Sequence, residues 1–216
     1  AMPRVITDLS LSLEDAQWVN SLYAMVFAAL LLAFGRLADR VGRRTVFVAG
    51  LVVFVLGSLA AAAADGASAL ITARAVQGVG GAMILPTTLS SVNAMFRGKD
   101  RAVAFGVWGA VMAGMAAVGP LLGGWLTTSF DWRWIFWVNL PVGAAVLIGA
   151  VLWVPQSRGL RARPGVDVDG LLTSAAGFGL IVFGLIEGHT LGWWAPAGDF
   201  TAFGLTWPSS FPISAR

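Results

Sequence analysis

The ten residues GRLADRVGRR, Gly35 to Arg44, hold four arginines and one aspartate and join two uncharged runs of twenty residues, Ala16–Gly35 and Thr45–Ala64. The same alternation continues along the chain. Ala75–Phe96 (22 residues), Ala102–Phe130 (29), Trp134–Ser157 (24) and Gly170–Ile186 (17) are also free of charge. About 20 mostly apolar residues cross a bilayer as a helix. Backbone in lipid must satisfy its own hydrogen bonds, which a helix does. The pattern therefore predicts six membrane-spanning helices in an all-α membrane protein. Barrel strands would alternate in polarity over about ten residues, and no segment does so.

Composition agrees. Of 216 residues, 57% are hydrophobic and 12% charged, against about 25% charged in soluble domains. The net charge of +3 does not point to nucleic acid, because the basic residues fall in short connections between the apolar runs. Absence of cysteine rules out disulfides, a thiol nucleophile and Cys-based metal sites. No Gly-Lys-Ser/Thr phosphate loop is present to drive a pump with ATP, and no Ser/His/Asp set can converge. Neither an enzyme, a cofactor nor a metal site is expected. The opening AMPRVITDLSLSLEDAQW shows no cleavable signal peptide and reads as the continuation of a longer chain.

Orientation follows from the arginines. The connection 35–44 holds Arg36, Arg40, Arg43 and Arg44; 97–101 holds Arg97, Lys99 and Arg101; 155–169 holds Arg158, Arg161 and Arg163. The alternate connections, 65–68 and 131–133, hold only Arg133. Basic residues accumulate on cytoplasmic loops, so the first set is expected inside and the segment 1–15 outside. Trp18, Trp132, Trp134, Trp137, Trp193 and Trp194 then fall at the outer interface, where Trp anchors are favoured. Asp167, Asp169 and Glu187 bracket the sixth run as solvated caps, and the lone His189 receives no role.

Two helices carry unusual chemistry. Arg74 is the one charge well inside a predicted span, with Gln77 on its face one turn later and Gly78 and Gly81 opening space beside it. A buried Arg costs about 2.5–3.5 kcal/mol on insertion scales, so it normally has a partner and a task. Pro86 is expected to break that helix. On the next span, Gly106, Ala110, Ala113 and Ala117 share one face, and Gly119, Pro120, Gly123 and Gly124 crowd the outer end. Membrane helices associate through such small residues, and Pro120 should bend the helix.

These motifs, in this order, resemble those of the major facilitator superfamily. GRLADRVGRR resembles its cytoplasmic loop signature. LITARAVQGVGGA (70–82) is similar to the signature carrying its intramembrane arginine, and GPLLGG (119–124) to its antiporter signature. DWRWIFWVNLPVG (131–143) resembles a segment of the fourteen-helix drug:proton antiporters. One departure is Met115, where the antiporter signature usually has glycine; Gly114 stands beside it. The resemblance implies most of an N-terminal six-helix bundle: an outer segment 1–15 after a missing first helix, then helices at about 16–35, 45–64, 69–93, 102–128 and 134–154. A cytoplasmic loop (158–169), a linker helix (170–188) and an outer, truncated loop (189–216) follow, and the C-terminal bundle lies outside the chain.

The function so implied is proton-coupled export of drugs or other amphipathic small molecules by two bundles rocking around a mid-membrane site. Arg74 and Gln77 would serve proton coupling. Gly35 and Gly42 would permit close turns. Asp39 would clasp the C-terminal bundle and, with Arg40, act in gating. Arg40, Arg43 and Arg44 of this gating loop can pair with Asp39 or with anionic lipid headgroups, Arg43 and Arg44 serving mostly as anchors. Partners are membrane lipids, protons and a small amphipathic substrate, with no nucleic acid. The alternatives are a specific metabolite or solute exporter on the same scaffold, and a non-transporting membrane scaffold or sensor.

Overall fold

The computed structural model describes residues 2–159, 168–191, 200–202 and 205–207. Arg161, Arg163, Asp167, Trp193 and Trp194 lie outside these residues. The helices are α1 (Met2–Asp8), α2 (Leu13–Val41), α3 (Arg43–Ala62), α4 (Ala67–Met95), α5 (Gly98–Ser129), α6 (Trp134–Trp137), α7 (Asn139–Trp153) and α8 (Val168–Leu191). A short antiparallel pair, β1 (Phe200–Ala202) with β2 (Leu205–Trp207), lies in the segment expected to be loop. Five helical stretches among the described residues are long and apolar enough to span a membrane: 15–41, 43–62, 67–95, 98–129 and 134–153. The last comprises α6 and α7, separated only at Val138. Helix α8 runs for 24 residues, and its apolar stretch among the residues with described side chains is Leu172–Leu185.

The charged connection differs most from expectation. Helix α2 begins at a capping box, in which Ser12 Oγ accepts from Asp15 N and the Asp15 carboxylate accepts from Ser12 N. It then runs without interruption through Gly35 to Val41. Gly35 is therefore not a turn residue; an added Cβ there would sit 3.5 Å from Pro86 Cβ. The turn is a single residue, Gly42, at φ 129°, and α3 starts at the next residue. Charge marks where the helix leaves lipid, not where it ends, because a helix continues in water at little cost.

Helix α4 is the centre of the bundle, packed on α2 along one side and on α3 along another. Glycines permit both contacts. A Cβ on Gly80 would stand 2.6 Å from Phe54 N and 2.8 Å from Gly50 O. A Cβ on Gly78 would stand 2.9 Å from Tyr23 O. The space expected beside Arg74 is thus filled by α2. Helix α7 packs on α3, with Gly143 against Val55, and α8 lies on α2, with Gly179 beside Ala29.

Neither proline breaks its helix: α4 passes through Pro86 and α5 through Pro120. Thr87 Oγ1 donates to Met83 O and Ile84 O, and Thr127 Oγ1 to Gly123 O and Gly124 O. Helix α5 also departs from the packing expected of it. Gly106, Gly119, Gly123 and Gly124 have open space around them, and its apolar side chains, such as Val107, Met115 and Leu121, are exposed. No described helix covers that face.

Candidate functional site

A chain of polar side chains crosses the bundle interior. It begins at Arg74 on α4, whose Nε donates to Val19 O on α2 (3.2 Å) and whose Nη1 donates to Gln77 Oε1 (3.0 Å). The guanidinium lies 4.2 Å from the centre of the Tyr23 ring, a cation–π contact. Gln77 is 1% exposed and passes the chain to α3, its Nε2 donating to Ser58 Oγ (2.7 Å). Ser58, fully buried, also accepts from Asn139 Nδ2 on α7 (3.2 Å) and donates to Phe54 O (2.9 Å). Ser58 therefore uses one donor and two acceptor positions, the full capacity of a hydroxyl.

The electrostatics of this chain are uneven. The ion pairs among the described residues are Arg43–Asp39, Arg133–Asp8 and Arg133–Asp131. Arg74 belongs to none of them. Its partners are a carbonyl, a carboxamide and a ring, all neutral. Among the described residues, a half-buried cation is thus held by fixed dipoles with no carboxylate beside it, an arrangement that stabilises an anion brought to it. Arg74 and Gln77 come together as the sequence suggested. Tyr23, Ser58 and Asn139 were not anticipated. Ser58 and Asn139 carried a weak signal as polar residues within the apolar runs VLGSLA and WVNLPVG.

Asp39, Arg40, Arg43 and Arg44, the residues to which the resemblance gives a gating role, lie about the Gly42 elbow at one end of α3. Asp39 Oδ1 accepts from Arg43 Nε (3.0 Å) and Nη2 (2.8 Å), joining the last turn of α2 to the first of α3. Of the two partners the sequence left open to Arg43, Asp39 or a lipid headgroup, the structure shows Asp39, because the pair stands four residues apart across the elbow. Arg44 is likewise engaged in the fold, its Nη2 donating to Val151 O at the end of α7 (2.6 Å). Arg40 occupies the last turn of α2.

A third cluster closes the opposite end of α3. Arg133 donates to Asp8 Oδ2 (3.0 Å), Asp131 Oδ2 (3.2 Å) and Ala64 O (3.2 Å). Trp132, expected as an interface anchor, is 2% exposed and packs edge-on against Phe136, with Nε1 donating to Asp8 (2.8 Å). An indole reaches the core when its N–H has a partner there. Trp134 and Trp137 are exposed, as an anchoring belt requires. Arg4 also bonds Thr127 O at the end of α5. The hydrogen bond from Trp132, then that from Arg133, holds the Asp8 carboxyl below its ordinary range.

Comparison with known proteins follows the same lines. The family model described as Major Facilitator Superfamily matches residues 1–169. The chain is 39% identical over 197 residues to the methylenomycin A resistance protein of Bacillus subtilis (strain 168), covering 91% of this chain and 42% of that protein. It is 42% identical to the puromycin resistance protein of Streptomyces alboniger, covering 91% and 39%. It is 37% identical to a multidrug resistance protein of Mycobacterium tuberculosis, covering 89% and 36%. The chain therefore spans well under half the length of these relatives. A crystal structure of a peptide transporter, POT, superposes with a TM-score of 0.64 at 21% identity, covering 91% of this chain and 41% of that one. That likeness is one of fold.

Proposed function

The chain belongs to the major facilitator superfamily, and on that premise we propose that the full-length protein is a proton-coupled secondary transporter. It would export drugs or other amphipathic small molecules by antiport, in a multi-pass arrangement in the cell membrane. The names of the relatives, resistance to methylenomycin A, to puromycin and to multiple drugs, support that substrate class.

The observation that carries the proposal is Arg74, a cation held by α2 and α4 and linked through Gln77 to α3 and α7, with no carboxylate among its partners in the described residues. A cation near a carboxylate lowers its pKa, while burial raises it. An acidic group brought beside Arg74 by the rest of the protein, or by the substrate, therefore changes its proton affinity as the site opens to one side and closes to the other. A proton loaded from outside and released inside then drives substrate the other way. The open small-residue face of α5 would receive helices of the full-length chain outside this segment, including the C-terminal bundle, and Asp39 would meet that bundle at the cytoplasmic end.

The test is reconstitution of the full-length protein in liposomes with an imposed pH gradient and a panel of amphipathic drugs. Gradient-driven drug movement, accompanied by proton flux and abolished by a proton ionophore, is the expected result. Transport of one polar metabolite alone would favour the narrower exporter. Absence of any gradient-driven flux from correctly inserted protein would contradict the proposal.

A further inference from the structure

The chain leaving α7 does not run free into the loop that follows; it binds the Gly42 elbow. Arg43 N donates to Ser157 O (2.9 Å), Arg44 N to Gln156 Oε1 (3.1 Å), and Gly159 N to Asp39 O (2.8 Å). The Gln156 amide also donates through Nε2 to Thr45 Oγ1 (2.6 Å). Arg43 and Arg44 open α3, where backbone N–H groups have no partner inside the helix. Residues more than a hundred positions away satisfy them.

Gly42 makes room for this contact. A Cβ there would stand 2.7 Å from Gln156 Cδ, and the backbone at φ 129° already disfavours a side chain. At the other end of the strap, a Cβ on Gly159 would stand 2.9 Å from Asp39 Cβ. Two glycines therefore bring Val154–Gly159 against the residues that carry the Asp39–Arg43 pair.

We propose that Gln156 is a positioning residue for this pair: it pegs the strap leaving α7 to the α2–α3 elbow, so that the geometry of Asp39 and Arg43 depends on where α7 ends. Sequence position gives no sign of this, since Gln156 stands in an ordinary loop sequence, VPQSRG. The consequence for transport rests on the proposed gating role of Asp39; the strap itself does not.

The experiment uses the full-length protein in nanodiscs and in liposomes, with Gln156→Leu (similar size, no hydrogen bonds) and Gln156→Glu (still an acceptor for Arg44 N, with the Thr45 hydroxyl able to donate to it). Hydrogen exchange of the Arg43 and Arg44 amides reads the strap directly. They should be protected in the parent and the Glu variant, and Arg44 should exchange faster in the Leu variant. In transport, Gln156→Leu should lower turnover about tenfold with KM little changed, as loss of a positioning contact does. Gln156→Glu should restore most of it, and combining Gln156→Leu with Asp39→Asn should cost no more than Asp39→Asn alone. Unprotected amides in the parent would overturn the strap. Protected amides with parental turnover in Gln156→Leu, or losses that multiply with those of Asp39→Asn, would overturn the positioning role. If Asp39→Asn itself transports normally, the gating reading falls while the exchange result still decides the strap.

Discussion

Replacing Ser58 with alanine removes one oxygen from the centre of the polar chain. Gln77 Nε2 then loses its acceptor in a site where the side chain is 1% exposed. A buried donor left without a partner costs about 1–3 kcal/mol. The Asn139 contact is longer, at 3.2 Å, and its side chain is only half buried. It adds about 0.6 kcal/mol, the average measured for side-chain hydrogen bonds between membrane helices. Ser58→Ala should therefore destabilise the full-length protein by about 2 kcal/mol, read by thermal or detergent-driven unfolding. Freed of Ser58, the Gln77 amide can rotate away from Arg74, so turnover should fall as well. The decisive form is a cycle with Gln77→Ala. Residues acting through one contact couple by about 0.5 kcal/mol or more, whereas independent sites add within about 0.3–0.5 kcal/mol. Additive losses of stability and turnover would refute the chain as a connected unit.

Other perturbations follow from the same geometry. Gly42→Ala places a side chain at φ 129° and against Gln156; a cost of about 1–3 kcal/mol should appear as lower thermal stability and slower transport. Gly80→Ala drives a methyl into the backbone of α3 at Phe54 and Gly50, and overpacking of about 1–3 kcal/mol should reduce the yield of folded protein. The Asp8 carboxyl has a lowered pKa because Trp132 and Arg133 bond its ionised form. A lowered folded-state pKa means that stabilisation is complete above the ordinary value near 3.8 and is lost as pH falls through the lowered one. Parent protein should thus be more stable than Asp8→Asn at neutral pH, and the two should converge in strong acid.

Much of the architecture was legible because the membrane imposes a simple rule. Uncharged runs marked the helices, and the resemblance of four ordered motifs marked the family. What the runs could not mark is where helices end: α2 keeps its hydrogen bonds through Gly35 and Arg36, and only the backbone of Gly42 stops it. Arg74 and Gln77 were legible because a charge inside an apolar run is costly and i, i+3 spacing places both on one face. Ser58, Asn139 and Gln156 were not, since each acts on residues 19 to 112 positions away. One hydroxyl or amide in an apolar sequence does not name its partner. Trp132 misled for a related reason. Its composition and place suited a lipid interface, but Asp8, 124 residues earlier and itself half exposed, gives the N–H a partner while the rings pack inward against Phe136. The small residues of α5 were read as packing, yet no described helix covers them.

The claim at the centre is that Arg74 couples substrate movement to protons. The direct measurement compares full-length parent and Arg74→Ala, inserted at equal levels in liposomes, for drug transport under an imposed pH gradient and for the accompanying proton flux. Arg74→Ala should lose gradient-driven transport and its proton flux while remaining inserted and folded. Drug transport at the parental rate, with the same dependence on the pH gradient, would contradict it.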